Sequence, residues 1–196
     1  MQGLVNGRNP SFSPDGKMLA YDHVGFSGRP AVYLIGSDGT GRHRLVTGVD
    51  PVWAPGGDVI AFTSAYVRDP NIWTVRPDGS HLRRVTLGRG ARRAPDFSPD
   101  GSRIVFEQGG VRQGKRGAIY TMALDGSRKR KLRGSGHAVA PTYSPNGKSI
   151  AALRYINDQA RDILIWRSER SRPRVIRRPT WDWWVSGIAW QPLRRR

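Results

Sequence analysis

The sequence predicts an all-β fold: a β-propeller of about four complete four-stranded blades, with partial strands at both ends. Three observations carry that expectation. A phrase made of a proline, an aromatic residue and a Ser-Pro-Asp-Gly type of turn recurs along the 196 residues. Its aromatics Phe12, Trp53, Phe97, Tyr143 and Trp190 stand 41, 44, 46 and 47 residues apart, a period that suits a blade of four short strands. The intervals are rich in glycine, proline and β-branched residues, which sets them apart from helical solenoids of similar period.

Within each repeat the elements follow in a fixed order. The first strand carries the aromatic, two positions after Pro10, Pro51, Pro95 or Pro141. The turn then runs Pro14-Asp15-Gly16, Pro55-Gly56-Gly57, Pro99-Asp100-Gly101 or Pro145-Asn146-Gly147. Proline presets one torsion and glycine accepts the positive torsion that follows, so this chemistry fixes a hairpin. A second, nearly continuous apolar strand comes next: Met18–Tyr21, Val59–Phe62, Ile104–Phe106 and Ile150–Leu153. Such a run suits a strand buried on both faces.

The third strand reads Val32–Ile35, Ile72–Val75, Ile119–Met122 and Ile163–Trp166. A second hairpin signal follows at Asp38-Gly39, Asp78-Gly79 and Asp125-Gly126, altered to Glu169-Arg170 in the last repeat. The fourth strand is short and basic: Arg44–Thr47, Arg84–Leu87, Arg130–Leu132 and Arg174–Ile176. Charge on an outer strand discourages edge pairing. These elements give one domain over 1–196, with blades at about 8–48, 49–90, 91–136 and 137–179, and 180–196 as the first strand of a further blade. Leu4–Gly7 matches a fourth strand and Val185–Trp190 a first strand. Open sheet edges must be paired or covered, so the expected reading is a segment of a longer propeller.

Composition narrows the function classes. No cysteine occurs, which excludes disulfides and thiolate metal sites and leaves the compartment open. The first residues show neither a basic nor an apolar leader, so no signal peptide is visible. No apolar run approaches the roughly 20 residues of a membrane helix, and the chain is expected to be soluble without membrane insertion. The formal net charge is +18, and arginine outnumbers lysine 28 to 5. The excess is compatible with a polyanion partner such as nucleic acid or acidic polysaccharide. Its spread over all repeats equally suits solvated blade edges.

The repeated sentence aromatic-Ser-Pro-Asp-Gly-Lys-x-Ile/Leu-Ala-Phe/Tyr, followed by an Ile-Tyr strand, Asp-Gly and a Leu-Thr outer strand, resembles the TolB-type, WD40-like propeller repeat. Phe12–Tyr21 fits it closely and Phe97–Phe106 nearly as well. The resemblance implies a six-bladed ring of which this chain supplies part, and a non-catalytic scaffold that binds protein partners outside the cytoplasm. Similar repeats also form the propeller of prolyl-oligopeptidase-like serine peptidases and the body of some polysaccharide lyases. A peptidase propeller lacking its hydrolase domain is therefore the alternative, and a polyanion-binding module a third reading.

The residues offer little for catalysis. A Gly-x-Ser-x-Gly elbow is missing, and Gly25–Gly28 and Gly134–Gly136 do not form one. His23, His43, His81 and His137 are widely spaced, without metal-ligand spacing. Asp15, Asp38, Asp78, Asp100 and Asp125 sit in turns, where they bond their own backbone. Glu107 and Glu169 are the two glutamates, and neither has a partner nearby in sequence. No enzyme activity, cofactor or metal is expected. Binding is expected at the channel mouth and loops. The candidates are Asn9, Asp50, Arg92, Arg93 and His137, with the loops Asp22–Pro30, Ala65–Pro70, Glu107–Gly117 and Asn157–Asp162. Trp181, Trp183 and Trp184 add an aromatic cluster around Asp182. It reads either as an interface anchor or as cover for the last blade's edge. The partner's identity and the oligomeric state are left open.

Overall fold

The computed structural model describes residues 7–25, 28–65, 69–88, 90–109, 117–157, 160–176 and 190, with backbone alone at 156, 157, 160 and 161. All regular structure among them is β. Four antiparallel sheets of four strands follow one another along the chain. They are β1 (Arg8–Phe12), β2 (Met18–Val24), β3 (Pro30–Gly36), β4 (His43–Thr47); then β5 (Val49–Trp53), β6 (Ile60–Thr63), β7 (Ile72–Val75), β8 (Arg83–Arg84). The third and fourth are β9 (Arg92–Phe97), β10 (Arg103–Gln108), β11 (Ala118–Ala123), β12 (Arg130–Lys131); and β13 (Ala138–Tyr143), β14 (Ile150–Asn157), β15 (Ala160–Trp166), β16 (Arg174–Ile176). Each sheet keeps its strands in sequence order, as a propeller blade does. The chain forms two compact units, Met1–Pro95 and Asp96–Arg196, whose boundary falls inside β9.

The turn chemistry works as its residues dictate. In the first sheet the Gly16 N–H donates to the Ser13 carbonyl at 2.8 Å, and Gly16 takes φ 71°, a conformation glycine adopts without a Cβ clash. The Ser13 hydroxyl donates to Asp15 Oδ1 at 2.6 Å and accepts from the Met18 N–H at 2.9 Å. Ser98 and Asp100 repeat this at 2.5 Å, and Ser144 with Asn146 at 2.8 Å. Ala54-Pro55-Gly56-Gly57 lacks the side chains and closes through backbone bonds, the Gly57 N–H to the Ala54 carbonyl at 2.9 Å and the Ala54 N–H to the Val59 carbonyl at 2.8 Å. The outer hairpins use Asp38, Asp78 and Asp125, each accepting from the N–H two residues on at 2.8–2.9 Å.

The second strands are buried as their composition predicts: all four residues of β6, and Ile104–Glu107 within β10. In the first unit Ala20, Val32, Leu34, Trp53, Ile60, Phe62 and Val75 form one core cluster. In the second, Val105, Ile119, Leu132, Tyr143, Ile150, Leu164 and Trp166 pack with Ala138 and Ala152. Each fully buried large side chain contributes about 1.5–3 kcal/mol, so these clusters carry most of each unit's stability. Trp166 also donates Nε1–H to the Arg133 carbonyl at 2.8 Å, which satisfies its one buried donor.

Two sets of sequence-based bounds change. Asp22, His23 and Val24 extend β2, Glu107 and Gln108 extend β10, and Asn157 pairs with Ala160. Those loops are therefore shorter than their composition suggests. The strand β8 covers only Arg83–Arg84, because Val85 and Thr86 turn inward. There the Thr86 hydroxyl accepts from the Ile72 N–H at 2.9 Å and donates to Asn71 Oδ1 at 3.1 Å. The exposed basic strands β4, β8, β12 and β16 are the edge strands of their sheets.

Candidate functional site

The first strand of every sheet contains one residue that breaks the ladder. Asn9, Asp50, Ala94 and Ala140, each just before a proline, adopt φ of 51°, 53°, 49° and 48°. Pairing slips at three of these points, between Arg8 and Ser11, Val49 and Val52, and Val139 and Thr142. A left-handed residue at a bulge re-aims its side chain. Asparagine and aspartate tolerate that conformation, whereas two alanines here adopt it at a cost.

In the first unit the bulges bring polar groups together. Asn9 Nδ2 donates to Asp22 Oδ1 at 2.8 Å and to Asp50 Oδ1 at 2.9 Å. The Asp50 N–H donates to Asp22 Oδ1 at 3.0 Å, and the Thr63 hydroxyl to Asp50 Oδ2 at 3.1 Å. Asp22 and Thr63 are buried, Asp50 half-buried and Asn9 exposed. Burial lifts the Asp50 carboxyl above the usual aspartate range, and the neighbouring Asp22 charge adds to this. The Thr63 bond, a bond from the Ala94 backbone and the Arg93 charge oppose it. One amide thus bridges two carboxylates at the surface, an arrangement suited to orienting hydrogen-bond groups toward a partner.

In the second unit the equivalent stretch is built around Asp96. Its Oδ2 accepts from the Tyr143 N–H at 2.8 Å and the Thr142 hydroxyl at 2.9 Å, so a side chain on β9 holds β13. Oδ1 accepts from the Phe97 N–H at 3.0 Å. Burial nevertheless pushes the carboxyl up to about 6, outweighing the three bonds. Ser11 plays the matching part in the first unit, its hydroxyl accepting from the Trp53 N–H at 3.1 Å.

Of the residues singled out by sequence, Asn9 and Asp50 meet. Arg93 is exposed and contributes its charge to Asp50. Arg92 is buried, 3% exposed, and its Nη1 donates to Asn71 Oδ1 at 3.1 Å and to the Gly88 and Gly90 carbonyls at 2.9 Å. Its guanidinium is thus engaged with the preceding turn rather than displayed at a mouth. His137, φ 68°, donates its N–H to the Gly117 carbonyl at 2.8 Å just before β13. Trp181, Trp183 and Trp184 lie outside the described residues. Counted back from the aromatics, the partners of Asn9 and Asp50 are Ala94 and Ala140. Asp22 was named only as the first residue of the candidate loop Asp22–Pro30, and Thr63 and Asp96 were missed, although none of them lies in a turn motif. Among the described residues no group of three or more His, Asp or Glu converges as metal ligands.

Comparison with known proteins gives a consistent picture. The profile of the TolB beta propeller domain matches residues 5–182. A TolB homolog of Chlorobium luteolum is 39% identical over 101 residues, covering 50% of this chain and 22% of that protein. An uncharacterized protein of Agrobacterium fabrum is 33% identical over 162 residues, 77% of this chain and 53% of the relative. The chain thus spans about half or less of these relatives. Crystalline TolB from Acinetobacter baumannii superposes with a TM-score of 0.70 at 22% identity, over 85% of this chain and 41% of that one. An acylaminoacyl peptidase from Pyrococcus horikoshii shares the fold at TM-score 0.62 and 13% identity, over 87% of this chain and 32% of its own.

Proposed function

We propose, because the chain belongs to the TolB beta propeller family, that it is a non-catalytic scaffold holding a protein partner on the bulged first strands of its sheets. The carrying observation is the Asn9 amide bridging Asp22 and Asp50. Two bulges there place an exposed carboxamide and a half-buried carboxylate side by side, fixed by groups behind them. Preorganised polar groups of this kind lower the ordering cost of binding. The acids held below the usual aspartate range, Asp15, Asp38, Asp78 and Asp100, are each bonded by a hydroxyl or backbone N–H of their own turn, which assigns them to structure. The same kinship supports an extracytoplasmic setting. The basic surface remains the ground for the polyanion reading, and its salt dependence separates the two.

The test is photo-crosslinking in living bacteria, with the crosslinker at position 8 or 93, which leaves the Asn9 amide in place, and a control at Thr40, an exposed outer-turn residue. The expected result is a discrete protein adduct from the first-strand positions and none from Thr40. Equal labelling from all three, or turnover of peptide and ester substrates by the purified chain, would overturn the reading.

A further inference from the structure

The second unit departs from its own repeat at two points that meet in space. At the second hairpin three repeats carry Asp-Gly, and the aspartate bonds its own turn. The last carries Glu169-Arg170 instead, and Glu169 reaches away to Arg103, Oε1 to Nε 2.7 Å. Arg103 is itself the exception in its register, where the other repeats have Met18, Val59 and Ser149. Tyr143 OH also donates to Glu169 Oε1, at 3.3 Å.

This pair stands where two clefts join. One, of about 610 Å³, is lined by Arg128, Lys129, Arg130 and Arg170 together with Arg103, Ser168 and Glu169. Five cations therefore face one carboxylate. The other, of about 490 Å³, is lined on its apolar side by Pro99, Pro145, Tyr143 and Ile150. Lys129 sits over the Tyr120 ring at 5.0 Å and the Phe106 ring at 5.9 Å, so these rings are covered rather than offered to stacking bases.

We propose that this joined cleft binds an acidic segment of a partner protein, its carboxylates along Arg128, Arg130 and Arg170 and an adjoining apolar side chain against Pro99 and Pro145. The assignment deepens the scaffold reading and rests on it, through residues other than Asn9 and Asp50. Charge complementarity selects the acidic run. The apolar half favours a peptide over nucleic acid, whose phosphates recur at every step.

The test is fluorescence anisotropy of the full chain with a labelled peptide carrying a run of glutamates beside a phenylalanine, at physiological salt. The cleft variant combines Arg128→Glu, Arg130→Glu and Arg170→Glu, and a control of equal charge change combines Arg44→Glu, Arg76→Glu and Arg83→Glu, all exposed. A triple Arg→Gln version of the cleft variant guards against misfolding, with a thermal melt of each. The expected result is binding about tenfold weaker for the cleft variants, within about twofold of the parent for the control, and weaker for a peptide with glycine in place of phenylalanine. Equal loss in both variants, no binding by the parent, or tighter binding of a charge-matched oligonucleotide would overturn the proposal. If the cleft variants bind the peptide as tightly as the parent while position 8 gives its adduct, the cleft is wrong and the scaffold stands. Absence of that adduct with selective loss of peptide binding in the cleft variants marks the reverse.

Discussion

Asp96→Asn tests the linkage between the strand-to-strand bond and proton uptake. Asparagine keeps the shape and one acceptor but cannot ionise. In the parent, the folded carboxyl holds its proton up to about 6, against an ordinary value of 3.8. The folded value lies above the unfolded one, so the folded chain binds the proton more tightly. Stability is then highest below about pH 4, falls as pH rises through 6, and is flat above about 7. The displacement corresponds to about 3 kcal/mol. Other acids titrate in both proteins and cancel in the difference. Urea unfolding of both proteins at steps between pH 4 and pH 8 should therefore show Asp96→Asn gaining about 3 kcal/mol on the parent, with unchanged m. At pH 4 the two should lie within about 1 kcal/mol, the worth of the Phe97 N–H bond that an amide group there would lose. Parallel pH profiles would refute the reasoning, since they would mean Asp96 is ionised in the folded state at little cost.

Three further substitutions probe packing and the joined cleft. Gly48→Ala should destabilise by about 1–3 kcal/mol in thermal or urea melts, because the new Cβ would fall 2.4 Å from Phe62 Cδ2 and 2.9 Å from the Thr63 carbonyl. Gly25→Ala, with nothing within 4 Å, should stay within about 0.5 kcal/mol. Glu169→Gln removes a charge that, with burial, holds the Tyr143 phenol well above its ordinary value. Ultraviolet titration should show one tyrosine ionising at lower pH, and a melt should show a loss of about 1 kcal/mol from the weakened Arg103 pair.

The sheets were legible because their signals are local. Pro14-Asp15-Gly16 specifies its turn within four residues, and Ile104–Phe106 declares its burial by composition. The polar sites were less legible because they join residues from neighbouring sheets. Asn9 and Asp50 could be picked out, since both are polar residues at the entry to a first strand. Ala94 and Ala140 carry no such mark, so the third and fourth repeats were aligned to Arg92, Arg93 and His137 instead. Asp96 left a trace that turn chemistry could not absorb, an acid between proline and aromatic. Its role depends on Tyr143, 47 residues on. Arg103 and Glu169 look like ordinary surface charges until the fold sets them 2.7 Å apart.

The bonds from Ser11 to Trp53 and from Asp96 to Tyr143 span 42 and 47 residues, which has a consequence for synthesis on the ribosome. A sheet can pair its own four strands as soon as they emerge, but its lock arrives only with the first strand of the next. The first sheet is complete at Thr47 and the third at Lys131, so their locks at Trp53 and Tyr143 come 6 and 12 residues later, roughly 0.3 to 2.4 seconds at about 5–20 residues per second. During that wait the arginines of the outer strands discourage pairing with a neighbouring nascent chain, so the charge on the finished surface also serves before the molecule is complete.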